Sequence, residues 1–370
     1  MLEFNRAVPF IETPAIGIPT RVPPTSYLTL TLLLTVSDFF VCGCLRLIRD
    51  VRNNYGCHRG GHREKVTSAR CFRCRLLHVK LRSALQSLLA GWDEDLPASW
   101  RKSLGETRLN WKTKTLEHNL LPGELIFPGR KRQPLSTAPP SAHFLRAFDH
   151  CNPNKVRAVI LGQDPYSNPA WATGRAFEQG NLKQWPCRPQ LIADSLRRLL
   201  QVIVAARTGN PSYAAGDRAW MKLIDDVRGG SLQLESPRQF FDRLEGEGVI
   251  FLNTSLTISV RDRANAPKQC HRHFQLWAPF INQVLTFIAT RQSGCAIYVL
   301  LGRKAGSVFD RSGAKTAAEH TGTWKRTAVA IRHFHPAAIT AKGPAFLRSP
   351  NPFYEANDYL RRMGAAPISW

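Results

Sequence analysis

Four short runs of apolar residues, at 156–161, 249–252, 296–301 and 327–334, each break off into a polar or glycine-bearing turn. The runs are continuous rather than alternating and are rich in Val, Ile and Leu. Strands of that kind need cover on both faces, as in a parallel sheet packed between helices. Helical patterns lie between them. Leu191, Ile192, Leu196, Leu199, Leu200 and Ile203 recur at helical spacing, with Arg197, Arg198 and Gln201 expected on the other face. Phe274, Trp277, Phe280, Ile281, Val284, Leu285 and Ile288 repeat the pattern. The predicted fold class is therefore α/β with a parallel sheet, in which sites gather at the carboxyl ends of the strands.

The chain has 370 residues and 43% apolar composition, enough for two domains or one large domain with extensions. Global disorder and a fibrous fold are excluded. Lys and Arg total 51 against 27 Asp and Glu, a formal charge of +24 that favours a polyanion such as nucleic acid over an acidic protein partner. The charge is spread along the chain, since residues 1–90 hold only 13 of the basic side chains. Nine scattered cysteines, an odd number, argue against a disulfide framework and for a reducing, intracellular compartment, cytoplasmic in a bacterium and nuclear in a eukaryote.

Composition shifts near residue 85. Residues 1–85 are expected to form a basic, cysteine-containing and poorly ordered extension. Cys57, His58, His62, Cys71, Cys74 and His78 offer zinc-ligand types, but with one C-x-x-C and no second the spacing fits no familiar finger, and no metal is predicted. The apolar stretch 27–45 carries a single charge, Asp38, and is marginal for a membrane span; basic Arg46 and Arg49 follow it at once, unlike a cleaved signal, and no membrane association is expected.

At the ends of the four runs stand Gly162-Gln163-Asp164-Pro165-Tyr166, then Asn253, then Gly302, then His335-Pro336. A carboxylate, an amide, a phenol and an imidazole thus converge on one edge of the predicted sheet. Singly, each has an ordinary explanation as a turn, a cap or a surface residue. Together and in this order, with Gly174 and Phe177 after the first string, Leu256-Thr257 after Asn253 and a terminal Pro367-Ile368-Ser369-Trp370, they resemble the uracil-DNA glycosylase family over roughly 98–370.

The resemblance implies a central four-stranded parallel sheet flanked by helices on both faces, in agreement with the four runs, and makes 86–370 the catalytic domain. It also implies a monomer, no cofactor, no catalytic metal, and uracil-containing DNA, single- or double-stranded, as the partner. Cleaving the bond between deoxyribose and uracil builds positive charge on the sugar and negative charge on the base. Asp164 would stabilise the sugar and orient water, and a neutral His335 would donate a hydrogen bond to the uracil O2, helped by backbone amides near Gln163. Asn253 would read O4 and N3–H, Tyr166 would exclude the thymine methyl at C5, and Phe177 would stack on a base flipped from the duplex. Ile339 stands where the family carries an apolar wedge. Arg303, Thr340, Lys342 and the loop Pro186-Cys187-Arg188-Pro189 would meet phosphates.

Departures from the family pattern fall on Ser167, where the family has a water-holding His; on Ala337, which lacks a serine hydroxyl; on Arg303, in place of a serine; and on bulky Trp171 and Thr173 before Gly174. Ser167 can still hydrogen-bond a water. Uracil excision is expected to survive with altered rate, strand preference or damage spectrum. One alternative is a catalytically weak relative that binds uracil or damaged DNA. The other, an α/β nucleotide hydrolase, has no use for +24 and would need a Walker-type string that is absent.

Overall fold

The computed structural model describes residues 79–261 and 272–370. The zinc-ligand candidates and the 27–45 stretch lie outside the described residues. The four apolar runs form strands β2 (Ala158–Gly162), β3 (Val249–Asn253), β5 (Ala296–Leu301) and β6 (Ala328–His333), all parallel in one sheet of order β3-β2-β5-β6. Two small antiparallel pairs accompany it, β1 (Leu125–Phe127) with β4 (Ile258–Val260) and β7 (Ile339–Thr340) with β8 (Gly343–Pro344).

The described helices, in chain order, are α1 (Leu81–Leu88), α2 (Ala98–Leu104), α3 (Asp194–Thr208), α4 (Ala219–Arg228), α5 (Pro237–Gly246), α6 (Phe274–Thr290), α7 (Arg303–Arg311), α8 (Ala314–His320) and α9 (Pro352–Arg362). They divide between the faces of the sheet as the side chains of each strand alternate. Val159, Leu161, Ile250, Leu252, Tyr298 and Leu300 pack with α1, α2, α6, α7 and α8. Ala158, Ile160, Val249, Phe251, Ile297 and Val299 pack with α3, α4, α5 and α9. Strands β2, β3 and β5 are buried at every position, which is why their sequences read as unbroken apolar runs.

Two expectations shift. The boundary expected at residue 85 falls inside α1, whose Leu81 and Leu85 are fully buried in the core. The helix expected from Leu191 begins at Asp194, leaving Leu191 56% exposed. Its supposed polar face is also buried: Arg197, Arg198 and Gln201 are 5%, 2% and 0% exposed. Distant partners make that burial tolerable, as buried polar groups require. Asp217 pairs with both arginines, and the Tyr213 and Gly216 carbonyls accept from the Gln201 amide.

The parallel register fixes which strand ends meet. Gly162 lies opposite Asn253, and Leu301 opposite His333. Chain leaves β2 toward β3 on one side, while β5 lies on the other, so a crevice opens beyond the carboxyl end of β2. Trp277 of α6 anchors the layer beneath. It is 0% exposed, meets Trp92 edge-on at 5.4 Å, and its Nε1 donates to Thr257 Oγ1 at 2.8 Å. Trp277→Ala should lower unfolding stability by about 3–5 kcal/mol in a denaturant titration; a loss below about 1 kcal/mol would contradict this packing.

Candidate active site

Gly162, Gln163, Asp164, Tyr166, Arg175, Phe177, Ser195, Asn253 and His335 line one cavity of about 210 Å³ at the carboxyl edge of the sheet. Close backbone approach makes room for it. A Cβ on Gly162 would lie 2.8 Å from both Ala176 Cβ and Asn253 Oδ1, so only glycine lets the Asn253 amide sit against β2. Gly302, at φ +96°, would place a Cβ 2.9 Å from His335 Cβ, and its N–H donates to His333 O at 2.9 Å. The turn after β5 therefore carries the His335 loop.

The loop after β2 is tied down from β3. Thr254 N donates to Gly162 O at 3.2 Å, Ser255 N to Gln163 O at 3.0 Å, and Thr254 Oγ1 to the same oxygen at 2.8 Å. The Gln163 amide donates to the Asp164 carboxylate, orienting it in the wall. Tyr166 is clamped through its hydroxyl, which donates to Phe177 O at 3.1 Å and lies 3.3 Å from Ser195 Oγ, while its ring meets Trp171 edge-on at 5.9 Å. Burial raises the phenol pKa, so it stays neutral. Phe177 holds φ +65°, a costly conformation for a bulky residue of the kind that clusters at functional sites.

Asn253 is 1% exposed, and its Nδ2 has no hydrogen-bond partner among the described residues. A buried amide donor left open costs about 1–3 kcal/mol, a cost that a ligand acceptor would relieve. His335 Nδ1 accepts from Ala337 N at 3.1 Å. A nitrogen that accepts carries no proton, so the ring is neutral with its hydrogen on Nε2. Burial lowers the imidazole pKa, and the nearby Lys304 cation lowers it further. The cavity thus presents a carboxylate, an open amide donor and a neutral imidazole N–H, next to two aromatic rings.

Beneath the wall, Arg175 is fully buried and satisfied. Its guanidinium donates to Glu245 at 2.7 and 2.6 Å, to Asp242 at 2.6 Å and to Glu178 at 3.3 Å. Burial disfavours its charge, but the carboxylates of Glu178 and Glu245 hold the pKa above the usual value. Arg175 and Ser195 were absent from the sequence-based set. The hydrogen bond of Ser195 to Tyr166 crosses 29 residues, and no local pattern signals it.

The remaining candidates lie apart. Arg303 lines a second cavity, of about 640 Å³, with Lys304, Ser307 and Arg311 of α7, meeting the first at Gln163 and Asp164. Ile339 is 62% exposed on β7, and Thr340 Oγ1 donates to Gly343 O across the same hairpin. Pro186 O accepts from Trp220 Nε1, and Arg188 is exposed before a short 3₁₀ turn. Ser167 faces a separate cavity with Leu125, Asn168 and Arg261, not the one holding Asp164.

Residues 148–361 match the family model of the uracil DNA glycosylase superfamily. A uracil-DNA glycosylase of Gallid herpesvirus 2 is 26% identical over 264 residues, covering 70% of this chain and 68% of the relative. One from Pectobacterium carotovorum is 26% identical over 273 residues, 71% of this chain and 96% of the relative. The crystal structure of mimivirus uracil-DNA glycosylase aligns with a TM-score of 0.49 at 16% identity, over 79% of this chain and 94% of that one.

The depressed imidazole pKa has a direct consequence. In an NMR titration the His335 ring should take up its proton with a midpoint below the ordinary 6.5. A midpoint at or above 6.5 would contradict the burial and the Ala337 hydrogen bond.

Proposed function

The chain belongs to the uracil DNA glycosylase superfamily, and on that premise we propose that it excises uracil from DNA by hydrolysing the N-glycosidic bond, the opening step of base excision repair. The observation that carries the reading is the meeting of Asp164, Asn253 and His335 around one cavity of about 210 Å³ in which the Asn253 amide donor is open.

The chemistry follows from where charge develops. As the bond between C1′ and N1 lengthens, the sugar becomes oxocarbenium-like and the base gathers negative charge. The Asp164 carboxylate stabilises the sugar and aligns the attacking water. His335, neutral and protonated on Nε2, donates to the uracil O2 as its charge grows, an interaction strongest in the transition state and so one that accelerates the step. A cationic imidazole is not needed.

Base choice rests on the walls. Asn253 donates from Nδ2 to O4 and accepts N3–H on Oδ1; cytosine reverses that pattern, and a good bidentate pair discriminates by about 1–3 kcal/mol. Tyr166, fixed by Phe177 O and Ser195, closes the C5 side against the thymine methyl, and Phe177 stacks on the ring. The base reaches this cavity only by leaving the stack, at a cost of a few kcal/mol. Exposed Ile339 fills the vacated space, and Arg303, Lys304 and Arg311 line the cavity that takes the flanking phosphates.

A second reading, a slow or non-cleaving relative, is favoured by Ser167, which stands in sequence where the family has a water-holding imidazole and lines another cavity. Mutation separates the two. Asp164→Asn should slow single-turnover uracil release by about 10²–10⁴-fold while DNA affinity stays near wild type; an unchanged rate would remove Asp164 from its role. Asn253→Asp should admit cytosine, measured as release from matched oligonucleotides, and unchanged selectivity would reject the base-reading pair.

A further inference from the structure

The first turn of α3 touches both loops that build the cavity. Ser195 and Arg198 are three residues apart and share one helix face. Ser195 reaches Tyr166 in the loop after β2. Arg198 reaches the loop after β6, where its Nη1 donates to Pro336 O at 3.1 Å. The guanidinium is 2% exposed and is aimed by Asp217, which accepts from Nε at 2.8 Å and Nη2 at 3.0 Å in a fork-on-fork pair. The hydrogen bond to Asp217 raises the Arg198 pKa and the hydrogen bond from Arg198 lowers that of Asp217, so both stay charged.

The acceptor matters because of the peptide to which it belongs. Pro336 C=O and Ala337 N–H are the two ends of one planar unit. Its oxygen is held by Arg198, and its N–H donates to His335 Nδ1 at 3.1 Å. Fixing the oxygen fixes the plane, and withdrawing electron density at the oxygen strengthens the N–H as a donor. The donated hydrogen is what keeps Nδ1 bare and places the ring proton on Nε2.

We propose that Arg198 is a positioning residue that sets the tautomer and orientation of His335 through the Pro336–Ala337 peptide, with Asp217 holding it in place. The activity part of this rests on the reading of His335 as the donor to the departing base. Arg197 also pairs with Asp217, at 2.9 Å, so removing Arg198 does not strand that carboxylate.

The test combines ¹⁵N NMR of the His335 ring in the full chain with single-turnover and steady-state release from a uracil oligonucleotide, for wild type, Arg198→Ala, Arg198→Lys and Asp217→Asn. Arg198→Ala should mix the two neutral tautomers and lower kcat roughly 10- to 100-fold, with KM changed less than about threefold, the cost of a misplaced group. Arg198→Lys keeps one donor for Pro336 and should recover part of both signals. Asp217→Asn, at a half-exposed site, should show a milder form and serves if the alanine variant fails to fold. A wild-type tautomer in Arg198→Ala or Asp217→Asn, with unchanged kcat, overturns the proposal. Tautomer mixing in a protein whose wild type releases no uracil would uphold the positioning role and reject the excision reading instead.

Discussion

Strand β2 is hydrogen-bonded along both edges, in parallel, to β3 and β5, and the rest of the molecule depends on that pairing. Parallel strands in register end level with one another, so the loops that follow them leave the sheet on the same side. An antiparallel neighbour would have sent its loop to the opposite edge. With Gly162 facing Asn253 across the β2–β3 ladder, an amide and a carboxylate loop come within side-chain reach. The same logic along β5 and β6 delivers Gly302 and His335. Burial on both faces makes this frame rigid, and a rigid frame is what a site of small dimensions requires.

Charge is sorted by depth around the cavity. Beside the Asp164 carboxylate, its inner walls present neutral donors and rings, namely Asn253, His335, Tyr166 and Phe177, where low dielectric strengthens each hydrogen bond. The buried cation Arg175 is neutralised by Glu245, Asp242 and Glu178. Exposed positive charge stands at the rim, at Arg303, Lys304 and Arg311, where it stays solvated. Lys304 in turn helps to keep the His335 imidazole neutral, so rim and wall act together on the group that meets the departing base.

The strands were legible because burial on both faces leaves a plain mark, an unbroken apolar run that stops where the chain turns into solvent. The strand-end residues were legible for the same reason, and the order of Asp164, Asn253 and His335 carried the resemblance. What stayed hidden depends on pairings far apart in sequence. Arg197, Arg198 and Gln201 read as the polar face of a helix; Asp217 and the Pro336, Tyr213 and Gly216 carbonyls, which make their burial favourable, come from other loops. Arg175 carries no local signal, because its partner Glu245 lies 70 residues away. Ser167 follows Tyr166 directly yet faces another cavity, because the chain turns between them.

The central claim is that one small cavity at the carboxyl edge of the sheet accepts uracil and cleaves it from DNA. Single-turnover release of free base from matched oligonucleotides, identical except for one uracil or one thymine, tests it most directly. The account predicts release of uracil and none of thymine. No release of uracil by a protein that still binds the oligonucleotide would contradict it.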